Sequence, residues 1–198
     1  MSQTLHFPDA VPTLFGDMVY LRELTEDDVP AWFARASDSE SAVLAGDPIP
    51  QSVEMGVHWL QRHREAFRQQ AGIRWAIVPK GSTDSVGTIG LAITSKEERI
   101  AELGIVIGRA DWGKGIGTAA AQLVTGYAFS TLGLTEIQAE VLQRNLASRR
   151  LLEKVGFQLL RSIPGDPHSD TDFEDCFLFV LSSQNRMPAE QRRDGMWS

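Results

Sequence analysis

Ile100-Ala101-Glu102-Leu103-Gly104-Ile105-Val106-Ile107-Gly108-Arg109-Ala110-Asp111-Trp112-Gly113-Lys114-Gly115-Ile116-Gly117-Thr118-Ala119-Ala120 is the stretch on which the reading of the whole chain turns. It runs from an apolar strand through a short turn and a glycine-rich loop into the first turn of a helix. Glycines let backbone N–H groups approach a ligand closely and converge on it. The helix that follows adds its positive dipole end and its unpaired N–H groups at the same spot. The pattern is that of a phosphate cradle.

Three kinds of loop compete for it. A Walker A loop needs Ser or Thr after Gly-Lys, but Gly113-Lys114 is followed by Gly115, so no hydroxyl is available for magnesium. A dinucleotide fingerprint needs G-x-G-x-x-G. Here Gly113, Gly115 and Gly117 give G-x-G-x-G, with Thr118 in the place of the third glycine. Thr118 weakens that option, while an acid about 20 residues on, Glu136 or Glu140, keeps it open. The third is the pyrophosphate loop [QR]-x-x-G-x-[GA] of acetyl-CoA-dependent N-acetyltransferases. Gly115-Ile116-Gly117 fits its G-x-G part, and Trp112 stands where Gln or Arg is usual. The string Trp112 to Thr118 resembles the GNAT superfamily, in particular its RimJ/RimL-like branch of ribosomal-protein acetyltransferases.

A second motif lies downstream at the spacing that superfamily uses. Asn145-Leu146-Ala147-Ser148-Arg149-Arg150-Leu151-Leu152-Glu153-Lys154-Val155-Gly156-Phe157 is similar to N-x-x-[AS]-x-x-[LY]-x-E-K-x-G-F. Between and around the motifs the periodicities predict strands at 18–24, 73–78, 86–93, 100–107, 135–142, from 157 and at 175–181. Helices are predicted from Thr25, from Ser52 to about Gln70, from Ile116 to near Gly133, and over 145–154, with Thr25 and Ser52 as caps. Residues 44–50 read as a loop. The order gives an α+β fold with a mixed, mostly antiparallel sheet flanked by helices, the GNAT arrangement. Its domain is expected over 18–182, after an irregular lead-in over 1–17 and before a polar tail over 183–198.

Bulk composition sets outer limits. With 198 residues, 42% hydrophobic and 23% charged, the chain can build one domain with a sizeable core. A net charge of −7 argues against a general nucleic-acid binder and would suit a cationic amine. The single cysteine, Cys176, excludes an intrachain disulfide; amid Phe177 and Phe179 it reads as a buried, inert thiol. No leader-like start and no apolar run near the roughly 18 residues of a membrane span are present. A cytoplasmic protein, monomer or homodimer, with no membrane or nucleic-acid partner is expected. His58 and His63 are five apart, not the i, i+4 of a shared ligand pair, so no metal site is expected. Trp59, His58 and His63 fall in a segment that walls the acceptor in the family.

The resemblance implies acetyl-CoA as cosubstrate, an amine acceptor (a protein N-terminus or a small molecule), and direct transfer in a ternary complex. It places the pyrophosphate on the amides of Gly113, Lys114, Gly115, Ile116, Gly117 and Thr118, with Trp112 a further cofactor contact and Lys114 adding charge to the phosphates. It pairs the pantetheine arm with the strand at Ile105, Val106 and Ile107, with a splay or bulge in the sheet nearby. A backbone N–H near Ile105 becomes the oxyanion donor, Glu102 the base and Ser148 the acid, while Asn145 contacts the cofactor or caps its helix. Many members place a tyrosine acid just before the Glu-Lys pair; here Leu152 stands there and cannot donate a proton. That departure keeps a non-catalytic acyl-CoA-binding module as the alternative. Asp166, Asp170, Asp172, Glu174 and Asp175 form an acidic stretch that could attract a cation.

Overall fold

The structure is a computed structural model and describes residues 4–45, 48–165 and 174–186. Asp166, Asp170 and Asp172 lie outside the described residues. Among the described residues eight strands form one sheet: β1 (Leu14–Phe15), β2 (Val19–Glu23), β3 (Gly72–Pro79), β4 (Gly87–Ser95), β5 (Ile100–Ile107), β6 (Glu136–Leu142), β7 (Gln158–Ile163) and β8 (Cys176–Ser182). The spatial order is β1-β2-β3-β4-β5-β6-β8-β7. Every pairing is antiparallel except β5 with β6. That parallel pair needs a crossover, and α4 (Ile116–Tyr127) supplies it, ending in a π-turn capped by left-handed Gly133.

β3 sits centrally and is buried on both faces, so it reads as nearly continuous apolar sequence rather than as clean alternation. Ile73, Trp75 and Ile77 face one side, where Ala120 and Val124 of α4 and Ala128 of the π-turn after it close the main core. Ala76 and Val78 face the other, packing with Leu60 of α3 (Glu54–Arg68) and Val29 of α1 (Val29–Ala36). The lead-in is tied to this core. Trp75 donates its indole N–H to the Pro12 carbonyl at 2.8 Å, His6 N–H bonds Leu132 O at 3.0 Å, and Leu14–Phe15 pair with β2 as a short edge strand.

Some local expectations change. Residues 39–45 form a helix, α2 (Ser39–Ala45), so the loop expected from Leu44 begins later. Ser52 does not cap α3 with its side chain; its hydroxyl engages the Glu54 carboxylate. The first turn after Thr25 is 3-10, held by Thr25 N–H donating to Asp28 Oδ2 at 2.9 Å.

Asp28 carries more than a cap. Its carboxylate, only 2% exposed, takes a two-pronged bond from Arg22 at 2.8 and 3.0 Å and so staples β2 to α1. Burial by itself would raise its pKa; the Arg22 guanidinium and the Thr25 N–H outweigh that and hold it below the ordinary carboxylate range. Because the folded pKa is depressed, the stabilisation is fully present above the unfolded value and is lost as pH falls through the folded one. Asp28→Ala is expected to cost about 3 kcal/mol at neutral pH, since it strands a partly buried guanidinium. In urea melts at pH 7 and pH 3 the gap between wild type and variant should narrow at the acid end. An equal gap at both would assign the loss to packing.

Candidate active site

β5 and β6 pair only over Ile100–Glu136, Ala101–Ile137 and Glu102–Gln138. Beyond Glu102 they part: β5 stays with β4 through Ile107, while β6 follows β8 to Leu142. The result is a V-shaped opening whose apex lies at Glu102 and Gln138. This is a splay between neighbours, with no bulge in that stretch of β5.

The edge that β5 turns to the opening is polar backbone. Gly108 N–H donates to Val86 O at 2.8 Å, on the β4 side. By the two-residue alternation of a strand, Ile105 and Ile107 direct their N–H and C=O groups the other way, into the opening. Trp112 confirms that direction, its indole N–H reaching the outward Ile107 carbonyl at 2.8 Å. Trp112 therefore clasps the loop to the strand rather than pointing its ring nitrogen at a ligand.

At the wide end of the V stands the glycine loop. Gly113 and Gly115 have φ of +74° and +79°, the left-handed region in which side chains are strained, and Gly115 is the N-cap of α4. No side chain caps this end, so the first amides of α4 are free to meet an anion. A cavity of about 350 Å³ joins the loop to the opening. Ile105, Val106, Ile107, Trp112, Gly113, Gly115, Ile116, Gly117, Thr118, Asn145 and Ser148 all line it. Of the cofactor and catalytic residues expected from sequence, Lys114 and Glu102 do not. Lys114 turns to Asp111, with Nζ to Oδ1 at 2.9 Å. Glu102 sits at the apex, beyond the cavity's end at Ile105.

The second wall is α5 (Leu146–Val155). Asn145 caps it, accepting Ser148 N–H at 3.0 Å, and its amide nitrogen donates to Leu44 O in α2 at 3.0 Å. Ser148 itself lines the cavity. Leu152 is 2% exposed in the core and is not among the residues lining the cavity, so the position at which a tyrosine acid would be expected does not face it here. Sequence reasoning passed over Arg150 and Lys154, which also line the cavity; their i, i+4 spacing on a helix already implied one shared face. It also passed over Ser41 and Leu44 of α2, which reach it from the opposite side.

Glu102 is reachable by solvent, yet its pKa is raised, first by the protein mass that displaces water around it and then by the like charge of Glu140. His63 shows the reverse: burial, then Arg74 and Arg62, lower its pKa to about 3, so it is neutral at any ordinary pH. It stands edge-on to Trp59, which stacks on Trp32. His58 is exposed and bonds its own helix at Glu54 O. Cys176 is half-buried on β8, across β6 from β5. Among the described residues no group of three or more His, Cys, Asp or Glu could hold a metal, and no helix is long and apolar enough to cross a membrane.

Comparison with known proteins agrees with this geometry. A family model described as an acetyltransferase (GNAT) domain matches residues 19–158. The uncharacterized N-acetyltransferase YoaA of Bacillus subtilis (strain 168) is 35% identical over 147 residues, covering 74% of this chain and 83% of that protein. Among solved structures, Mycobacterium smegmatis RimJ in complex with CoA-disulfide superposes with a TM-score of 0.77 at 23% identity, over 94% of this chain and 93% of that one. Spermidine N-acetyltransferase from Vibrio cholerae, in complex with CoA and spermine, superposes with a TM-score of 0.73 at 17% identity, over 84% and 96%. The V between β5 and β6, the left-handed glycine loop and the matched family model together make this chain a member of the GNAT acetyltransferase family.

Proposed function

We propose that the protein moves an acetyl group from acetyl-CoA directly to an amine while both are bound, as a RimJ/RimL-like member of the family. The observation that carries this is the parting of β5 and β6 immediately after Glu102, with a phosphate cradle at the other end of the same opening. The N–H groups of Gly113 to Thr118 hold the pyrophosphate, helped by the α4 dipole. Arg150 and Lys154 add cationic charge from α5. The outward backbone of Ile105 and Ile107 pairs with the pantetheine arm as a strand would, which places the thioester, the activated acyl donor, near the apex.

At the apex Glu102 takes the proton of the acceptor amine, directly or through one water. Its raised pKa brings it closer to working pH and makes it a better base than an ordinary surface carboxylate. The N–H at Ile105 stabilises the negative oxygen that develops as the amine attacks. Ser148 gives its hydroxyl proton to the departing sulfur as the C–S bond breaks.

Rates measured with both substrates varied should give intersecting double-reciprocal lines. Parallel lines together with an acetylated protein would replace direct transfer by an acyl-enzyme. Cys176→Ser should leave the rate unchanged, because the thiol lies on β8 beyond β6 and outside the cavity.

Gly117 supplies a further check. A Cβ there would stand 2.6 Å from Leu151 Cδ1 and 3.6 Å from Ile105 Cδ1, so a side chain at 117 must push Leu151, a lining residue of the cavity, aside. Gly117→Val is expected to weaken CoA binding by about tenfold or more, equivalent to roughly 1.4 kcal/mol, in calorimetric titration. Unchanged affinity would place the CoA arm elsewhere.

A further inference from the structure

Arg74 lies on the face of the sheet that Glu102 shares, and its side chain runs sideways across two strands. It starts on β3, passes over Gly90 of β4 and ends above Gly104 of β5. A Cβ added to Gly90 would meet Arg74 Cγ at 3.1 Å, and one added to Gly104 would meet Nη1 at 3.6 Å and Nη2 at 4.0 Å. Arg74, Gly90 and Gly104 stand opposite one another in the sheet register. Two adjacent strands thus lack side chains in one row, and a guanidinium occupies the trough. Arg74 Nε is oriented by Thr88 Oγ1 at 3.3 Å.

The guanidinium therefore ends two residues from Glu102 on the same strand and the same face. Glu102 and Glu140 form an anionic end at the apex, Glu140 standing close enough for its charge to act on Glu102. Behind Arg74, between α3 and β2–β3, a second cavity of about 350 Å³ is lined by Arg74, Glu23, Arg64 and Arg68, of which Arg64 is paired with Glu26 at 3.5 Å and Arg68 with Glu65 at 2.8 Å. Its neutral His63 adds no opposing charge. In a chain of net charge −7, Arg74 is the guanidinium that reaches the Gly104 side of the acceptor face.

We propose that Arg74 selects the acceptor: the amine delivered to Glu102 belongs to a molecule carrying its own carboxylate, which the Arg74 guanidinium holds above Gly104. The acceptor is then an amino acid, or a peptide amino terminus with an acidic side chain close by, and not a polyamine. The chemistry is the forked match of guanidinium to carboxylate at one end and ammonium to carboxylate at the other. The proposal rests on the reading of Glu102 as the acceptor-side base.

The test is CoA release with four acceptors: free glutamate, a peptide with an acidic second residue, the same peptide with that residue amidated, and spermidine. Wild type should favour the acidic peptide over its amide, or the free amino acid over spermidine, by at least tenfold in kcat/KM. Preference for the free amino acid puts an α-carboxylate at Arg74; preference for the peptide puts a side-chain carboxylate there. In Arg74→Met whichever of these preferences wild type shows should fall to near one, and Arg74→Lys should restore part of it. Wild type that favours neither the acidic peptide over its amide nor the free amino acid over spermidine, or that turns over no carboxylate-bearing amine, overturns the proposal. So does an Arg74→Met variant that keeps the ratio. Glu102→Gln separates this from the parent reading: if Glu102 is not the base, its rate stays near wild type while the Arg74-dependent ratio is still read.

Discussion

Glu102→Gln is expected to lower kcat/KM for acetyl transfer by roughly 10²–10⁴-fold, the usual range for a removed general base. Glutamine keeps the size and much of the hydrogen bonding of glutamate but cannot take a proton. CoA affinity should be unchanged, because Glu102 stands at the apex and outside the cavity that the loop and α5 enclose. Wild-type activity should rise with pH through a value above the ordinary carboxylate range, the shift coming from lost hydration and then from Glu140. In the variant that acidic limb should vanish. Stability gives an independent sign. A carboxylate whose folded pKa is raised opposes folding once it ionises, so the variant should melt no lower than wild type at neutral pH. A variant that is inactive and also unstable would point to a structural part for Glu102. One that is active would move the base elsewhere.

The largest loss of stability is expected at Trp75→Ala, about 3–5 kcal/mol for emptying an aromatic site in the core. Trp75 is 0% exposed and central in the sheet. It touches Tyr127 of α4 edge-on at 6.0 Å between ring centres and holds the lead-in through Pro12 O. Removing it opens a void under the crossover helix and leaves that carbonyl without its donor. A fall in melting temperature of roughly 10 °C or more is expected for a chain of this length. Trp75→Phe, which fills much of the volume but lacks the indole N–H, should lose distinctly less. Equal losses in the two would give the Pro12 bond, not packing, the main share.

These two residues also show what can be read without a structure. Glu102 is conspicuous because it interrupts an apolar strand just before a glycine-rich loop, and both signals are local. Gly113 and Gly115 are legible for the same reason: their left-handed backbone is written into residue type, and the helix after them has a clear apolar stripe. What a linear reading misses is set by pairing between distant segments. α2 has no apolar stripe to announce it; it is fixed by residues some 65 to 100 positions away, through Arg109 on Glu40 at 2.7 Å and Asn145 on Leu44 O. Lys114 resembles a phosphate ligand by its place in the loop, yet Asp111 at i−3 claims it. The row of Arg74, Gly90 and Gly104 exists only once the strand register is known.

The parting of β5 and β6 as the seat of acetyl-CoA is the claim on which the rest depends, and amide hydrogen exchange with and without CoA tests it most directly. Saturating CoA should slow exchange at Ile105 and Ile107, whose N–H groups face the opening, and at Gly113 to Thr118. Gly104 and Val106, already turned towards β4, should change far less. Protection confined to other segments, or equal at all four strand positions, would contradict the assignment.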